Sequence, residues 1–324
     1  MAMSPRITAI VPSLGLSRWL VPCLEALRRA GGEEIEILLV AQGAAVHPEA
    51  CFATAAEIAD RTLKLPANAG FAAANNHALS QARGEFLATV NDDALVDDDW
   101  CRLLVEVLER SPKTAAVQGV NLMLEPAKEG PLADGCGLSW NRYWQAIQIG
   151  HGEPAPEATA APVEIFGVSA TAAIYRREAL AAVSGPDLGA FDAELFAFYE
   201  DVDLACRLRA AGYRALLVPA ARAQHAGSVS ARQLAFGGRQ LIYGNRYLVL
   251  ARLLGRAFWP RLPLVWLRDG VDLGHALRRG RLRQGTAIAA GWWRALRRLR
   301  RFAHGGPPAV PLAELLRTQR ATRR

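Results

Sequence analysis

Short apolar runs alternate along this chain with longer segments in which apolar residues recur at helical spacing. The short runs predict strands, and they are Ile7–Val11, Ile35–Val40, Arg61–Leu65, Phe86–Val90 and Ala115–Gln118. The segments between them predict helices, and these are Arg18–Ala30, His47–Asp60, Phe71–Ala82 and Asp97–Arg110. Because strands that alternate with helices form a mainly parallel sheet with helices on both faces, we expect an α/β fold.

The second half of the chain is less regular before it returns to the same alternation. Leu124–Val163 contains several glycines and prolines and predicts a loop-rich insertion. Phe166–Tyr175 then predicts a strand, and Arg176–Val183 predicts a helix. A cluster of three carboxylates begins a further predicted helix, which ends near Gly212 and leads into another strand.

The C-terminal region differs from the rest in charge. Residues 239–324 carry 19 arginines, no lysine and three acids, a net charge of +16, whereas the remainder of the chain has a net charge of −9. Arg239–Leu254 has helical apolar spacing, Phe258–Leu267 is aromatic and interrupted by prolines, and Ile288–Phe302 contains a series of arginines. We therefore divide the chain into an α/β domain, residues 1–238, and a basic, mainly helical C-terminal extension, residues 239–324.

The basic extension predicts contact with phosphate groups. Trp292 and Trp293 stand beside its arginines, a combination typical of helices that lie in the interface of a membrane. We expect peripheral contact with a membrane surface through this extension, and we consider nucleic acid a poorer partner. The alternative is a solvated helical face without a partner.

Composition places the chain among globular proteins. It has 324 residues, of which 51% are hydrophobic and 21% charged, enough for one large domain with or without an appendage. Its five cysteines are scattered and form no C-x-x-C pair, so neither a disulfide framework nor a zinc cluster is predicted. No charged leader precedes Ile7–Val11, and no apolar run reaches the roughly 18–20 residues that span a bilayer. We expect a cytoplasmic protein, either soluble or peripheral on the inner face of the cytoplasmic membrane.

Two polar motifs lie where a parallel sheet binds ligands, beyond the carboxyl ends of its strands. Asn91-Asp92-Asp93 follows a predicted strand, and carboxylates there can hold a Mg²⁺ or Mn²⁺ ion that in turn holds a diphosphate. Asn68-Ala69-Gly70 leads into a helix of small side chains, whose N-terminus favours a phosphate or another polar group. Taken alone, each motif also fits an ordinary turn or helix cap.

The carboxylate cluster Glu200-Asp201-Val202-Asp203 begins a predicted helix, where backbone N–H groups stabilise anions. Asp203 and Arg207 are four residues apart and are expected to pair. Glu200 and Asp201 then remain free to face a site, although capping of the helix would also explain them. His225, which follows the next strand, suits a metal or phosphate contact only together with the other motifs.

The order of these motifs resembles that of the family 2 glycosyltransferases, in particular their rhamnosyltransferase-like branch. The resemblance covers about Ile7 to Leu250 and rests on Asn68-x-Gly70-Phe71-x-x-x-Asn75-Asn76, Asn91-Asp92-Asp93, Phe191-Asp192-x-x-Leu195-Phe196, Glu200-Asp201-Val202-Asp203-Leu204 with Arg207, Gly212-Tyr213, Pro219 and His225-x-x-Ser228. It implies a Rossmann-like GT-A fold. It also implies that a sugar is transferred with inversion from a nucleotide-diphosphate sugar to a hydroxyl of a glycan or lipid-linked acceptor.

The resemblance also implies roles for individual residues. Asp93 matches a metal-binding member of the family's D-x-D element, and His225 matches a histidine that completes the metal and diphosphate site. The expected catalytic residues are Asp201, as the general base, and the adjacent Glu200. The residues expected to contact the nucleotide or a metal-bound water are Pro12, Ser13, Gln42, Asn68, Gly70, Phe71, Asn75, Asn91 and Asp92.

The chain departs from the family pattern in two places. Family members usually carry an acidic residue after the second strand that helps to hold the base, but this chain has Ala41-Gln42-Gly43-Ala44. After the first strand, Val11-Pro12-Ser13-Leu14-Gly15 keeps only part of the usual pattern. Recognition of the base is therefore expected to differ, and rhamnose from a dTDP donor is the expectation that the family branch provides.

Three other functions fit parts of the pattern. A polyprenyl-phosphate sugar synthase shares the reaction class but often has membrane spans, which this sequence does not predict. A sugar nucleotidyltransferase would need a Gly-rich basic loop, and Val11–Leu16 has no basic residue. A non-catalytic sugar-nucleotide binder would explain the missing carboxylate near Gln42. We expect the transferase, acting in cell-envelope polysaccharide synthesis.

Overall fold

A large mixed sheet organises the molecule. The computed structural model describes residues 4–43, 52–124, 130–185, 189–227 and 235–304. The strands are β1 Ile7–Ser13, β2 Ile35–Gln42, β3 Arg61–Leu65, β4 Phe86–Val90, β5 Ala94–Val96, β6 Thr114–Met123, β7 Ala133–Gly135, β8 Leu138–Trp140, β9 Ala146–Gln148, β10 Val163–Ile165, β11 Ala172–Arg176 and β12 Arg214–His225. The described part of this sheet has the order β10-β12-β6-β11-β4-β1-β2-β3, with β5 beside β12 and β7 beside β6.

The central strands are parallel, as predicted. β1 pairs in parallel with β2 and β4, and β2 pairs in parallel with β3. All residues of β1, β2 and β4 are buried, which is typical of strands covered on both faces. β11 is antiparallel to both β4 and β6, and β6 is parallel to β12. The carboxyl ends of β1, β2 and β4 therefore meet at one edge of the sheet.

Helices cover both faces of the sheet. They are α1 Leu20–Gly31, α2 Ala53–Ile58, α3 Gly70–Leu79, α4 Trp100–Arg110, α5 Arg177–Val183, α6 Glu200–Ala210, α7 Ala235–Leu254, α8 Leu262–Arg278 and α9 Leu282–His304. On one face, Leu24 of α1 and Leu104 of α4 share a buried cluster with Val11. On the other face, Ala74 of α3 packs with Ile10 of β1. The expected α/β architecture is confirmed.

Several predicted bounds differ from the observed ones for local reasons. β3 and β4 have the predicted bounds, and β1 and β2 each continue two residues further. The prediction of a strand over Phe166–Tyr175 was wrong in its first half, since the strand begins only at Ala172. The backbone N–H of Ser169 instead donates to Oε1 of Gln118 at 2.7 Å, so it does not pair with the backbone of a neighbouring strand.

The second predicted helix, His47–Asp60, is shorter where it is described. It covers Ala53–Ile58, and residues 47–51 lie outside the described part of the chain. Asp60 is not helical because its Oδ2 accepts the backbone N–H of Ile37 at 2.7 Å, which ties the chain to β2. The predicted insertion, Leu124–Val163, is loop-rich but carries the short strands β7, β8 and β9 and the first residue of β10.

The C-terminal helices pack against the insertion and against the region around the start of α6. Leu248, Leu253 and Phe302 share one buried cluster with Trp140 and Tyr199. The predicted boundary between residues 238 and 239 falls inside α7, and the division into two domains stays a prediction. Within the described parts of the chain, none of the helices combines the length and the apolarity needed to cross a bilayer.

Candidate active site

A large cavity lies at the carboxyl ends of β1, β2 and β4, where a sheet of this kind binds ligands. It has a volume of about 950 Å³. The predicted site residues that line it are Pro12, Gln42, Asn68, Gly70, Phe71, Asn91, Asp92, Asp93, Glu200, Asp201 and His225. Motifs that are separated by more than 200 positions in the sequence are thus brought to one cavity.

Two predicted residues are close to this cavity without lining it. Ser13 donates from Oγ to Oδ2 of Asp92 at 2.6 Å, and this hydrogen bond holds the carboxylate in place. Asn75 is fully buried, and its Nδ2 donates to the carbonyl of Phe71 at 2.9 Å. Both residues support the predicted site through a neighbour, and a direct contact of either one with a nucleotide stays a prediction.

The acidic triplet forms a tight turn directly after β4. The N–H of Asn91 donates to the carbonyl of Thr171 at 2.8 Å, and the carbonyl of Asn91 accepts the N–H of Ala94 at 3.1 Å. Asp92 is buried, and burial raises its pKa to about 6 although the Ser13 hydrogen bond acts in the opposite direction. The triplet therefore forms an ordinary turn, and the same turn presents the carboxylates of Asp92 and Asp93 to the cavity.

Asp93 and His225 face each other across the same end of the cavity. His225 Nε2 lies 3.2 Å from Asp93 Oδ1, and its Nδ1 lies 2.8 Å from Asp134 Oδ2. Burial lowers the pKa of His225, but the hydrogen bonds with Asp134 and Asp93 outweigh it and raise that pKa to about 9. Among the described residues, no group of three or more His, Cys, Asp or Glu side chains is arranged to hold a metal ion.

The donor set of this pair nevertheless fits a divalent cation that receives its other ligands from a substrate. A carboxylate oxygen and an imidazole nitrogen 3.2 Å apart suit Mg²⁺ or Mn²⁺ when the cation displaces the imidazole proton and phosphate oxygens complete the coordination. Asp134 behind His225 is the kind of carboxylate that orients a metal-binding imidazole through its other nitrogen.

The loop before α3 is held in one conformation at the cavity wall. Asn68 Oδ1 accepts the N–H of Gly70 at 2.9 Å, and Gln42 Oε1 accepts the N–H of Ala69 at 3.0 Å. Gly70 has a φ of +83°, and a Cβ there would lie 2.5 Å from the carbonyl oxygen of Phe196. Only glycine fits at this position, and the N-terminus of α3 consequently opens towards the cavity.

A second loop, which contacts the start of α3, presents the carboxylate pair to the cavity. Three of its residues, Phe196, Phe198 and Tyr199, have positive φ values of 67°, 64° and 70°. Left-handed conformations of large side chains are strained and persist only where surrounding contacts enforce them. The enforcing contacts come from Asn245 of α7, whose Nδ2 donates to the carbonyls of Phe198 at 2.8 Å and of Leu195 at 2.8 Å.

Glu200 and Asp201 follow this loop as the first two residues of α6. Asp201 Oδ1 accepts the N–H of Val202 at 2.8 Å, and its Oδ2 lies 3.4 Å from the N–H of Ala170. Burial raises the pKa of Asp201 to about 6 against these hydrogen bonds. Burial and the charge of Asp201 raise the pKa of Glu200 well above its usual value, and Glu200 Oε2 has no hydrogen-bond partner. Both carboxyl groups therefore have raised pKa values, and Asp201 is the one whose two oxygens are placed to accept backbone hydrogen bonds.

The third carboxylate of the cluster is structural. Asp203 is fully buried, and its Oδ2 accepts from Nε of Arg207 at 2.8 Å, which confirms the predicted pair. Arg252 of α7 also donates to Asp203, and its Nη2 reaches Asp192 Oδ2 at 2.8 Å. Removal of one partner from a buried pair costs about 3–5 kcal/mol, so these ion pairs fix α6 against α7.

Comparison with known proteins identifies the family. Residues 8–183, slightly more than half of the chain, match the model described as glycosyl transferase family 2. This chain belongs to glycosyl transferase family 2. The O-antigen biosynthesis protein RfbC of Myxococcus xanthus is 30% identical to it over 245 residues, which are 71% of this chain and 18% of RfbC. The chain thus spans about a fifth of the length of this curated relative. Its predicted place in a rhamnosyltransferase-like branch stays a prediction.

Solved structures of other glycosyltransferases confirm the GT-A fold. The mannosyltransferase PcManGT from Pyrobaculum calidifontis, in complex with GDP-Man and Mn²⁺, matches with a TM-score of 0.56 and 16% identity. That match covers 91% of this chain and 88% of PcManGT. GalNAc-T7, with UDP, GalNAc and Mn²⁺, matches with a TM-score of 0.51 and 12% identity over 68% of this chain and 44% of its own. At these identities the two matches establish the fold alone.

The structure of this family 2 member also brings residues to the cavity that no sequence motif singled out. They are Asp134, Gln145, Gln148 and His151 of the insertion, and Arg239, Tyr243 and Arg246 of α7. The insertion residues stand in an irregular segment, which gave no periodic signal. The α7 residues recur at spacings of three and four, which marks one helical face but does not show which cavity that face lines.

Proposed function

We propose that this chain is a metal-dependent, inverting glycosyltransferase that moves a sugar from a nucleotide-diphosphate sugar to a hydroxyl of a glycan or lipid-linked acceptor in cell-envelope polysaccharide synthesis. One observation carries the proposal: a single cavity has the carboxylate of Asp201 on one wall and the pair of Asp93 and His225 on another. Sugar transfer requires both, because the acceptor hydroxyl must lose a proton and the leaving diphosphate gains negative charge.

The donor diphosphate occupies the end of the cavity with Asp93 and His225 in this proposal. These two side chains would hold a Mg²⁺ or Mn²⁺ ion, and Asp134 would keep the imidazole oriented. When bound, the cation offsets the negative charge that develops on the diphosphate. PcManGT and GalNAc-T7 were each solved with Mn²⁺ and a nucleotide or nucleotide sugar, which supports the same donor chemistry here.

The nucleoside would lie near Pro12, Gln42 and Asn68, which line the adjoining wall. Gln42 stands where a carboxylate was expected, and its Oε1 already accepts the N–H of Ala69. The amide hydrogens of Nε2 are therefore the part of this side chain available to a base, and they would pair with a carbonyl oxygen. Thymine and uracil both offer such an oxygen, and dTDP-rhamnose is the donor that the resemblance favours.

Asp201 acts as the general base at the acceptor end. Its carboxylate takes the proton of the acceptor hydroxyl while the oxygen forms a bond to the anomeric carbon. The bond from that carbon to the diphosphate breaks on the opposite side and leaves its electron pair on the diphosphate. A single displacement of this kind inverts the anomeric centre. Glu200 lines the cavity beside this base, and burial and the charge of Asp201 raise its pKa.

The C-terminal helices supply the proposed membrane contact. Ten of the thirteen large apolar side chains that are exposed in the described chain lie in one region: Ile242, Trp259, Leu264, Trp266, Leu267, Val271, Leu277, Leu282, Trp293 and Leu296. Arginines surround these side chains in the sequence. Exposed tryptophans and leucines with arginines favour the interface of an anionic membrane, where a cytoplasmic enzyme would meet a lipid-linked acceptor.

A thermal-shift screen of nucleotide sugars, with and without Mn²⁺, tests the proposed reaction class. At 100 times its dissociation constant, the donor stabilises the fold by about 2.7 kcal/mol, which raises the melting temperature by several degrees. We expect one donor to do so only with the cation, and we expect Asp93→Asn to lose that dependence. Stabilisation by nucleoside triphosphates alone would indicate a nucleotidyltransferase, and the absence of any shift would contradict the proposal.

A further inference from the structure

Helix α7 forms a cationic wall of the same cavity. Arg239, Tyr243 and Arg246 line it at spacings of four and three residues, which places them on one side of the helix. Gln284 of α9 lines the cavity beside them. This wall is built entirely from the region of the chain that lies outside the segment matched by the family model.

Arg246 is fixed within this wall by a buried network. Its side chain is 2% exposed and pairs with Asp269, which is fully buried. Asp269 also accepts from the Tyr247 hydroxyl at 2.6 Å and from Trp292 Nε1 at 2.9 Å. Three donors thus share one carboxylate, and Arg246 Nε remains buried without a hydrogen-bond partner. An unsatisfied donor on a buried, charged guanidinium is costly unless a ligand completes it.

Arg239 adds a cation whose charge is not offset. It is exposed, lines the cavity and forms no ion pair with the acids of the described chain. Tyr243 stands between the two arginines in the sequence, and its hydroxyl donates to Asp272 Oδ2 at 3.2 Å. The wall therefore presents one buried guanidinium held by Asp269 and one exposed guanidinium, and planar guanidinium groups can bind two oxygens of a phosphate.

The cationic wall is on the side of the general base. Asn245, the residue before Arg246, donates from Nδ2 to the carbonyl of Phe198 at 2.8 Å, three residues before Asp201. Tyr199 and Asp201 line the same cavity as Arg246. Because the donor diphosphate has its own site at Asp93 and His225, the arginines of α7 remain for a different anion.

We propose that Arg239 and Arg246 bind a phosphate or diphosphate group of the acceptor, next to the hydroxyl that Asp201 deprotonates. This inference rests on the proposed transferase function and specifies its acceptor class. A phosphate is favoured over a neutral glycan on this wall, because hydrogen bonds from a guanidinium to an ionised oxygen are about twice as strong as those between neutral groups. A phosphorylated acceptor can be a sugar on a lipid diphosphate or a soluble sugar phosphate, which share this group.

Binding of phosphate probes to the full chain tests the wall separately from donor binding. The measurement is calorimetric titration with inorganic diphosphate and with farnesyl diphosphate in EDTA, which prevents divalent cations from recruiting the probes to Asp93. We expect both probes to bind, and we expect Arg239→Gln to weaken binding roughly tenfold, since a charge-assisted hydrogen bond is lost. Arg246→Lys, which keeps the charge but removes Nε, should weaken binding to a similar extent.

Arg278→Gln is the matched control, because Arg278 is exposed on α8 and does not line the cavity. It should bind both probes like the unaltered chain. Equal binding by Arg239→Gln and the unaltered chain would overturn the inference, as would an equal loss in Arg278→Gln, which would indicate nonspecific charge attraction. Because Arg239 is exposed, its variant remains informative even where Arg246→Lys fails to fold.

The two probes also distinguish the source of the phosphate. Tighter binding of farnesyl diphosphate than of inorganic diphosphate supports a lipid-linked acceptor, and equal binding supports a soluble sugar phosphate. Failure of the transferase proposal is recognised independently, because nucleotide sugars would then give no Mn²⁺-dependent thermal shift while the phosphate probes still bind. Absence of probe binding together with a donor-dependent shift would refute the acceptor inference alone.

Discussion

Adjacent carboxylates at the start of α6 differ in their hydrogen bonds. Asp201 accepts from the backbone of Val202 and Ala170, and these bonds favour its charged form. Glu200 Oε2 has no hydrogen-bond partner, and burial and the neighbouring Asp201 raise the pKa of Glu200 well above its usual value. The backbone thus stabilises the charged form of Asp201, which suits Asp201 to the role of base.

The pKa of Asp201 predicts how activity depends on pH. A general base works only when it is deprotonated, and burial raises this pKa to about 6. We expect kcat/KM to fall tenfold for each pH unit below about 6 and to be level just above it. A pH profile of nucleoside diphosphate release measures this limb. A profile that stays flat down to pH 4.5 would show that another group accepts the proton.

Gly70 is predicted to be irreplaceable for reasons of backbone and space. Alanine would adopt a φ of +83° and would place its Cβ 2.5 Å from the carbonyl oxygen of Phe196. We expect Gly70→Ala to lower the free energy of unfolding by about 1–3 kcal/mol in urea titrations. The control is Gly270→Ala in α8, where a Cβ meets nothing within 4 Å and stability should hold or rise. Equal stability of the two variants would contradict this account.

At the scale of elements, α7 is the part of the chain that holds the strained loop. Asn245 Nδ2 donates to the carbonyls of Leu195, Ala197 and Phe198, at 2.8, 3.0 and 2.8 Å. Asn245 Oδ1 accepts from Arg294 of α9 at 3.2 Å, which sets the orientation of the amide. Two C-terminal helices therefore determine where the residues before Glu200 and Asp201 lie.

We predict that Asn245 acts as a positioning residue for the base. Asn245→Ala removes three hydrogen bonds from a loop with unfavourable φ values, so Asp201 should lose its alignment with the acceptor. We expect kcat to fall about 10- to 100-fold while KM for the donor stays within a few-fold. A purely structural role would lower the melting temperature without this difference between kcat and KM.

Asn76→Ala provides the comparison for that prediction. Asn76 holds the neighbouring segment through the backbone of Phe191, with Nδ2 donating to the carbonyl at 2.6 Å and Oδ1 accepting the N–H at 2.9 Å. The Asn76→Ala variant also loses side-chain hydrogen bonds to a loop backbone, but these bonds do not involve the strained residues. Equal losses of kcat in the two variants would show that the loss comes from a general increase in loop flexibility and not from misalignment of Asp201.

The sequence predicted the parts of the site that lie in contiguous motifs. Asn91-Asp92-Asp93 was found because it follows a buried strand, and the pair of Asp203 and Arg207 was found because a helix brings residues four apart together. Asp134 and Asn245 were not found, since tertiary packing alone brings an irregular insertion and a remote helix to this cavity. The short strands β7 to β10 were missed because three residues carry too little periodic signal.

At the scale of the whole molecule, the exposed apolar side chains of the C-terminal helices predict attachment to anionic membranes. Trp266 and Leu267 are 56% and 65% exposed. We expect Trp266→Ser combined with Leu267→Ser to reduce partition of the full chain into phosphatidylglycerol vesicles about tenfold. Flotation of vesicles with bound protein measures this, and binding should weaken as salt rises.

The control for membrane attachment is Val163→Ser, which changes an exposed apolar residue of β10 outside the C-terminal region. It should partition like the unaltered chain. Equal partition of all three proteins, or equal binding to phosphatidylcholine and phosphatidylglycerol vesicles, would remove the C-terminal helices as an anionic-membrane contact. The assignment of the general base would not be affected.

The central claim is that Asp201 is the base of an inverting transfer, and Asp201→Asn tests it most directly. The measurement is nucleoside diphosphate release from the donor found by thermal shift, with a membrane lipid extract as the acceptor source. We predict that the variant keeps the Mn²⁺-dependent thermal shift but loses about 10²- to 10⁴-fold in rate. Glu200→Gln, which leaves the carboxylate of Asp201 in place, should lose less. Full turnover by Asp201→Asn, with the donor bound as before, would contradict the account.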